Sequence, residues 1–515
     1  MLGKIGGLGG LFGPKTDHPL ASNSEMQRII EELPTDNAFK ALDEVVGWLE
    51  SLQMATDFPG ERLFEATKQL DDVAQPHLRR LARDYLHTQR LPKNEEKRLW
   101  SINYGFYKLL ATNYETCLGF LGGKDKAATV VKAQLPLLSV RFLRAVGAMV
   151  KWEQFHYGPT TNPVWLQLGQ AYRAVEQSGG AKKAILIYPN SVGTTSPILE
   201  YLKILVFQAS SMDSLLPGEI ELAERLIVHF LPGFFFGPEA HPESICWVDL
   251  DQARPPQRLV RAPRERTPTL RYFRPADAYG QLLGLVADLE RGGDVPPDIN
   301  LGGQYHPRFV LPVLHHLANY WSPTPPKRKF DRHRVKHRLS VLHGLGNALV
   351  VFSGDSARPP TVPEMESWVV ENVSRSGFGA VFADARVEWP KVGELLVMQP
   401  EGGENWLLGI VRRYHRANDH QARVGIEALA RHATALELRP RTASSYGAAA
   451  GIPAVLIDDG NEPGEIRVVL PVATFDVRES LEFVRDGKRM LLSPVAVAEQ
   501  SADYEIARYR LRVAT

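Results

Sequence analysis

The residues with the clearest chemistry stand in two short runs. The first is Arg334-Val-Lys-His-Arg338, which sets two guanidiniums four residues apart just before an apolar stretch. An arginine fork donates paired hydrogen bonds to phosphate oxygens and to the O6 and N7 edge of guanine, and its plane stacks on a purine. The second is Asn372-Val-Ser374-Arg-Ser-Gly377, at the end of SWVVENVS. Period two along a strand puts Asn372 and Ser374 on one side of the chain, where an amide and a hydroxyl can reach a guanine edge or a phosphate. Gly377 permits a sharp turn or a close approach of a ligand to the backbone. Taken singly, the first run is a solvated basic face and the second a strand end with a turn.

The elements around these runs have a β pattern. SPTPPKRKFDRHRVKHR marks the clearest boundary in the chain, with prolines first and charge after. Beyond it come LSVLHGL, ALVVFS, SWVVENVS, GFGAVFA, GELLVMQP, NWLLGIVRRY and ARVGIEAL, each read as a short strand and separated by turns such as Glu401-Gly402-Gly403. Short strands at this spacing argue for an antiparallel barrel or sandwich. Strict alternation along SWVVENVS puts Asn372 and Ser374 on the side of Trp368 and Val370. A bulge, or a position at the barrel mouth, is needed to reconcile a polar pair with that apolar face.

In this order and on this background the two runs resemble the PilZ domain family. That family has an RxxxR segment leading into its first barrel strand, matched by Arg334 and Arg338, and a D/NxSxxG motif on a later strand, matched by Asn372, Ser374 and Gly377. VGELLVMQPEGGENWLLGIVRRY is similar to the next two strands of the family, and ARVGIEAL to its closing strand, with Gly425 as its glycine. The resemblance covers about residues 325–432. It implies a six-stranded antiparallel barrel that binds cyclic di-GMP, with an arginine loop closing over the ligand and Arg334, Arg338, Asn372, Ser374 and Gly377 as ligand-binding residues. A second RxxxR, Arg328 to Arg332, lies just upstream and leaves the register open; Arg334/Arg338 is preferred because Arg338 abuts the first strand.

The rest of the chain sets the context. The 515 residues suffice for about three or four domains at ~100–200 residues each. Residues 1–23 read as a flexible tail, and their glycines are followed by no Gly-Lys-Ser/Thr of a phosphate loop. Residues 24–235 read as α-helical, with apolar positions three and four apart, Ser22 and Asp36 at cap positions, and Pro136 as a break or kink. Residues 236–322 read as a mixed α/β connecting region that closes against the helical part. Within it, SICWVDLD and TLRYFRP read as strands, and ARPPQRLVRAPRERTP as a solvated loop in preference to a binding patch. Residues 323–432 form the PilZ-like barrel and 433–515 a C-terminal β module. The fold class is thus multidomain α+β: a helical region, an antiparallel β-barrel and a β-rich module.

A net charge of +1 confines any anion site to a local patch. Cys117 and Cys246 read as reduced thiols. No signal peptide or membrane span is read, which gives a cytoplasmic protein as the expectation. His315-His316, His333/His337 and His415/His420 lack partners at metal-ligand spacing, so neither a metal nor another cofactor is expected. Asp71-Asp72 reads as a helix face and Asp458-Asp459 as a turn. The motifs of zinc proteases, of serine hydrolases and of enzymes that make or break cyclic di-GMP are all missing.

The expected function is therefore not enzymatic. It is a bacterial second-messenger effector that couples cyclic di-GMP at the barrel to a helical region engaging a protein partner. The rival readings are an interaction scaffold with a degenerate barrel and a single-stranded nucleic-acid-binding protein. The latter is disfavoured because Phe330 is the only aromatic beside the arginines.

Overall fold

A computed structural model describes residues 17–88, 91–158, 160–324, 330–353, 365–383, 391–418, 420–441, 451–458, 462–501 and 503–513. The chain divides into two compact units. Unit one comprises Met1–His156, Thr160–Met212 and Pro217–Pro326; unit two comprises Tyr157–Pro159, Asp213–Leu216 and Lys327–Thr515.

Among the described residues, unit one is built on ten α-helices: α1 (Asn23–Glu32), α2 (Ala38–Met54), α3 (Gly60–His87), α4 (Lys93–Gly119), α5 (Lys126–Phe155), α6 (Asn162–Gln177), α7 (Pro197–Ala209), α8 (Pro217–Phe230), α9 (Asp277–Glu290) and α10 (Pro307–Trp321). Residues 17–22, placed in the tail by sequence, hold a short 3-10 turn with Leu20 fully buried. Asn37 rather than Asp36 caps α2, its side chain accepting from the Lys40 amide at 3.1 Å. Pro136 lies inside α5 and does not end it. This helix is long and apolar enough to cross a bilayer, but 61% of its most apolar window is buried within the protein, as befits a core helix. Four strands, β1 (Phe235–Gly237), β2 (Cys246–Asp249), β3 (Gln257–Arg258) and β4 (Leu270–Arg274), form an antiparallel sheet in the order β1-β4-β2-β3.

The pair Asp71-Asp72 lies on α3, on a helix face as read, but that face is turned inward at Asp71. Asp71 is 1% exposed and forms the centre of a buried polar cluster. Arg141 on α5 donates Nη1 to Asp71 Oδ2 at 2.8 Å and Nη2 to Asp72 Oδ1 at 2.7 Å. The hydroxyls of Tyr114 and Tyr188 donate to Asp71 at 2.8 and 3.3 Å. The sequence did not show this because the partners lie about 40 to 120 positions away. Cys117 and Cys246 are buried and free, and burial pushes both thiols up to about 12, which makes them poor nucleophiles.

Unit two holds two closed six-stranded barrels. The first consists of β5 (His333–His343), β6 (Glu366–Ser374), β7 (Gly377–Ala383), β8 (Leu395–Pro400), β9 (Leu407–Asn418) and β10 (Gln421–Ala430), in the order β10-β7-β6-β5-β8-β9. The second consists of β11 (Ala433–Pro440), β12 (Ile452–Ile457), β13 (Glu465–Pro471), β14 (Leu481–Arg485), β15 (Lys488–Gln500) and β16 (Tyr504–Val513), in the order β11-β12-β13-β16-β15-β14. ALVVFS, expected as a strand, belongs instead to helix α11 (Gly344–Phe352). An unbroken apolar run is compatible with either element. Here Gly344, at φ +84°, lets the chain leave β5, and α11 covers a core shared by both barrels. That core joins Leu342, Leu395, Val397, Leu408 and Ile410 of the first barrel to Val455, Val469, Tyr504 and Ile506 of the second. Arg412 ties the barrels further, donating to Glu427 at 2.6 Å and through both terminal nitrogens to Glu499 at 2.6 and 2.8 Å.

Candidate functional site

The first barrel has a separate inner core, including Leu339, Trp368, Val370, Ala380, Phe382 and Tyr414. Paired residues on antiparallel strands share a face of the sheet, so register assigns each candidate to the inside or the outside. Leu339 opposite Trp368, and Val370 opposite Ala380, lie on the inner face. Arg338 opposite Val369, and Val369 opposite Val381, lie on the outer face.

Glu371 resolves the phase conflict on β6. Val370 pairs with Ala380, but Asn372 pairs with Gly379, the very next residue of β7. Two steps on β6 therefore match one on β7: a β-bulge, which shifts the alternation by one residue. Beyond it, Val373 pairs with inward-packed Phe378, while Asn372 and Ser374 turn to the outer face. Arg334 pairs directly with Asn372 across the β5–β6 ladder. The bulge thus places Arg334, Arg338, Asn372 and Ser374 on one outer face.

The arginines are held more tightly than the sequence suggested. Arg334 and Arg338 lie within β5 rather than in a loop ahead of it, because pairing with Val369–Val373 extends the strand through a polar stretch. Both are exposed. Arg338 donates through Nη1 to Ser367 Oγ at 3.2 Å, and its amide donates to Glu401 Oε2 at 3.2 Å. The Arg334 guanidinium has no hydrogen-bond or ion-pair partner among the described residues. Of the alternative pair, Arg332 is exposed and Arg328 lies outside the described residues.

Asn372 is the most telling member. Its side chain lies against Gly379, where an added Cβ would come within 2.5 Å of Nδ2. Its Oδ1 is buried and has no hydrogen-bond partner. A buried acceptor left unpaired costs about 1–3 kcal/mol, so the position favours a group that supplies a donor. Ser374 closes the β6–β7 hairpin, donating Oγ to Gly377 O at 3.3 Å. At Gly377 the barrel itself requires a glycine: an added Cβ would lie 1.9 Å from Ile426 O on β10. At the hairpin tip Arg375 lies over the Phe330 ring, 5.7 Å from its centroid.

Register also brings in Gly379, Arg413 and Arg423, which the sequence reading did not single out. Arg334, Asn372, Gly379, Gly425 and Arg413 stand in line across β5, β6, β7, β10 and β9. The next row runs Arg338, Val369, Val381, Arg423 and His415. Two glycines therefore stand in the middle of this face, Gly379 beneath the Asn372 amide and Gly425 beside the Arg413 stem, with arginines on both sides. Arg413 is ion-paired with Asp213 at 3.3 Å, whereas Arg423 is exposed. Burial holds the His415 pKa below the usual histidine value, with Arg423 and Arg413 adding to the shift against Asp213. Among the described residues no group of three or more His, Cys, Asp or Glu side chains could hold a metal ion.

Two family models match the chain. That of the cyclic-di-GMP receptor FimW, N-terminal domain, matches residues 24–239, and that of the cyclic-di-GMP receptor FimW, middle PilZ domain, matches residues 353–435. The second includes Asn372, Ser374 and Gly377 and begins after Arg334 and Arg338. No curated protein matches the chain. The two matches follow the order of the helices and the first barrel, take in more than half of the residues, and have one receptor in common. The chain belongs to the cyclic-di-GMP receptor FimW family.

Proposed function

We propose that this receptor holds cyclic di-GMP on the outer face of its first barrel, with Arg334, Arg338, Asn372 and Ser374 as the contacting side chains. The ligand has two phosphates and two guanines. Arg334 and Arg338 offer cationic forks to a phosphate or to a guanine O6/N7 edge. Asn372 offers an amide acceptor to the N–H groups of a guanine, and Ser374 a hydroxyl. Gly379, without a Cβ, makes room for the Asn372 amide on this face. Gly377 keeps the hairpin seated on β10. The observation that carries this reading is the Glu371 bulge, which sets Asn372 opposite Arg334 and leaves the Asn372 carbonyl oxygen unpaired.

The protein acts by binding rather than by catalysis, as a cytoplasmic effector whose helical region, about residues 24–235, engages a protein partner. The bound state reports to that region only to the extent that ligand favours one arrangement of the chain over another. Calorimetric titration of the full chain with cyclic di-GMP, beside Arg334→Ala, Arg338→Ala and Asn372→Ala, tests the site. Saturable heat that weakens in all three supports it, and an affinity untouched by all three rules it out. Solution scattering with and without ligand tests the coupling, which an unchanged profile would refute.

A further inference from the structure

Unit one carries a second set of arginines that this function does not use. Residues 253–268, ARPPQRLVRAPRERTP, run from β2 to β4 and hold five arginines and four prolines. Arg258 is committed to the chain, donating to the carbonyls of Tyr320 and Ser322. Arg254, Arg261, Arg264 and Arg266 are exposed, and their side chains have no hydrogen-bond or ion-pair partner among the described residues. The neighbouring acids are mostly engaged: Asp251 pairs with Arg173, and Asp249 accepts from Thr269 at 2.6 Å. Four open cations thus face one open carboxylate, Glu265. The prolines restrict the backbone, so less freedom is lost when a partner binds.

Three of these arginines, Arg254, Arg261 and Arg264, border a cavity of about 530 Å³ whose lining includes Trp247 and Leu270. Trp247 is fixed in the wall, its Nε1–H donating to Arg261 O at 2.7 Å. The surroundings favour a peptide over a nucleic acid. Single-stranded nucleic acid needs successive aromatic platforms, and Trp247 is the single aromatic of this lining. Asp249 and Glu265, also in the wall, oppose a run of phosphates.

We propose that this cavity docks an acidic peptide segment of a partner protein. Its carboxylates pair with Arg254, Arg261 and Arg264, and an apolar side chain sits against Trp247. The proposal is independent of the cyclic di-GMP site. The test uses the full chain and fluorescence anisotropy with three labelled probes: a peptide in which Asp and Glu flank a single Leu, the same peptide with Ser for Leu, and a single-stranded oligonucleotide of equal length. The Leu peptide is expected to bind, more weakly as salt is added, and more tightly than either other probe. The double variant Arg261→Glu/Arg264→Glu, in an exposed segment, should weaken it roughly tenfold or more, with the circular dichroism spectrum and cyclic di-GMP affinity unchanged. The idea is overturned if the Leu peptide does not bind, if the double variant binds it as well as wild type does, if Ser for Leu makes no difference, or if the oligonucleotide binds more tightly and is lost in the same variant.

Discussion

Arg141 in the helical unit and Arg334 on the first barrel are the same side chain in opposite situations. Arg141 is 1% exposed, with Asp71, Asp72 and the Ile187 carbonyl accepting from its terminal nitrogens and the Tyr188 ring 4.3 Å from its Cζ. Arg334 is exposed, partnerless among the described residues, and registered opposite an asparagine whose oxygen is also unpaired. A buried cation whose terminal nitrogens meet acceptors of its own chain is committed to the fold. An exposed cation on a rigid strand, facing another unpaired group, keeps that capacity for something that arrives later. The difference lies in where the acceptors come from, and it makes opposite predictions for the two arginines.

Arg141→Ala should produce the largest effect. It leaves Asp71 and Asp72 without their cation inside the helical unit, and breaking such a pair costs about 3–5 kcal/mol. Urea unfolding followed by helical ellipticity measures it. A loss below ~1 kcal/mol would mean that water or rearrangement replaces the guanidinium, and the contrast with Arg334 would fail. Gly377→Ala comes next, because its Cβ would meet a backbone carbonyl at 1.9 Å that cannot move alone. Overpacking of this kind costs about 1–3 kcal/mol. It should appear as a lowered thermal midpoint of the β unit.

Arg334→Ala should leave stability within about 0.5 kcal/mol, as is usual for an exposed side chain, and weaken cyclic di-GMP roughly tenfold or more. Asn372→Ala sharpens the distinction because its two readouts should diverge. Removing an unpaired buried carbonyl leaves stability unchanged or raises it, while ligand affinity falls. If stability and affinity fell together, Asn372 would be a packing residue, and the proposed site would lose its central acceptor.

How much of this was legible from residues alone follows the range of the interactions involved. The barrel strands were readable because alternation and turns are local; β6, β7 and β10 stand where SWVVENVS, GFGAVFA and ARVGIEAL placed them. The α11 segment was misread because local pattern cannot tell a buried helix from a strand along an apolar run such as Ala348–Phe352. The pairing of Arg334 with Asn372 spans 38 positions and comes with two register shifts, one at Glu371 between β6 and β7 and one between Arg334 and His337 on β5, neither of which any residue type announces. The sequence did expose the contradiction, a polar pair in phase with Trp368 and Val370, and that contradiction marked the bulge. Asp71 gave no such sign. An Asp-Asp pair on an amphipathic helix looks the same whether its partner is water or an arginine 70 positions away.

The smallest predicted effect tests whether the approach to the site is held from the hairpin side. Arg375 belongs to the same N-x-S-x-x-G run but sits at the β6–β7 tip, where its guanidinium lies over Phe330, three residues before β5. At this distance and exposure a cation–π contact is worth about 0.5–1 kcal/mol. Arg375→Ala should therefore weaken cyclic di-GMP only about two- to fivefold, by loosening the entry to Arg334 rather than by removing a ligand contact. Phe330→Leu should do the same, and the double variant should be no worse than either single one, since the two residues share one interaction. Calorimetric titration of all three proteins reads the cycle. Additive losses would show that Arg375 touches the ligand directly, and the open cations of this face would then extend to the hairpin tip.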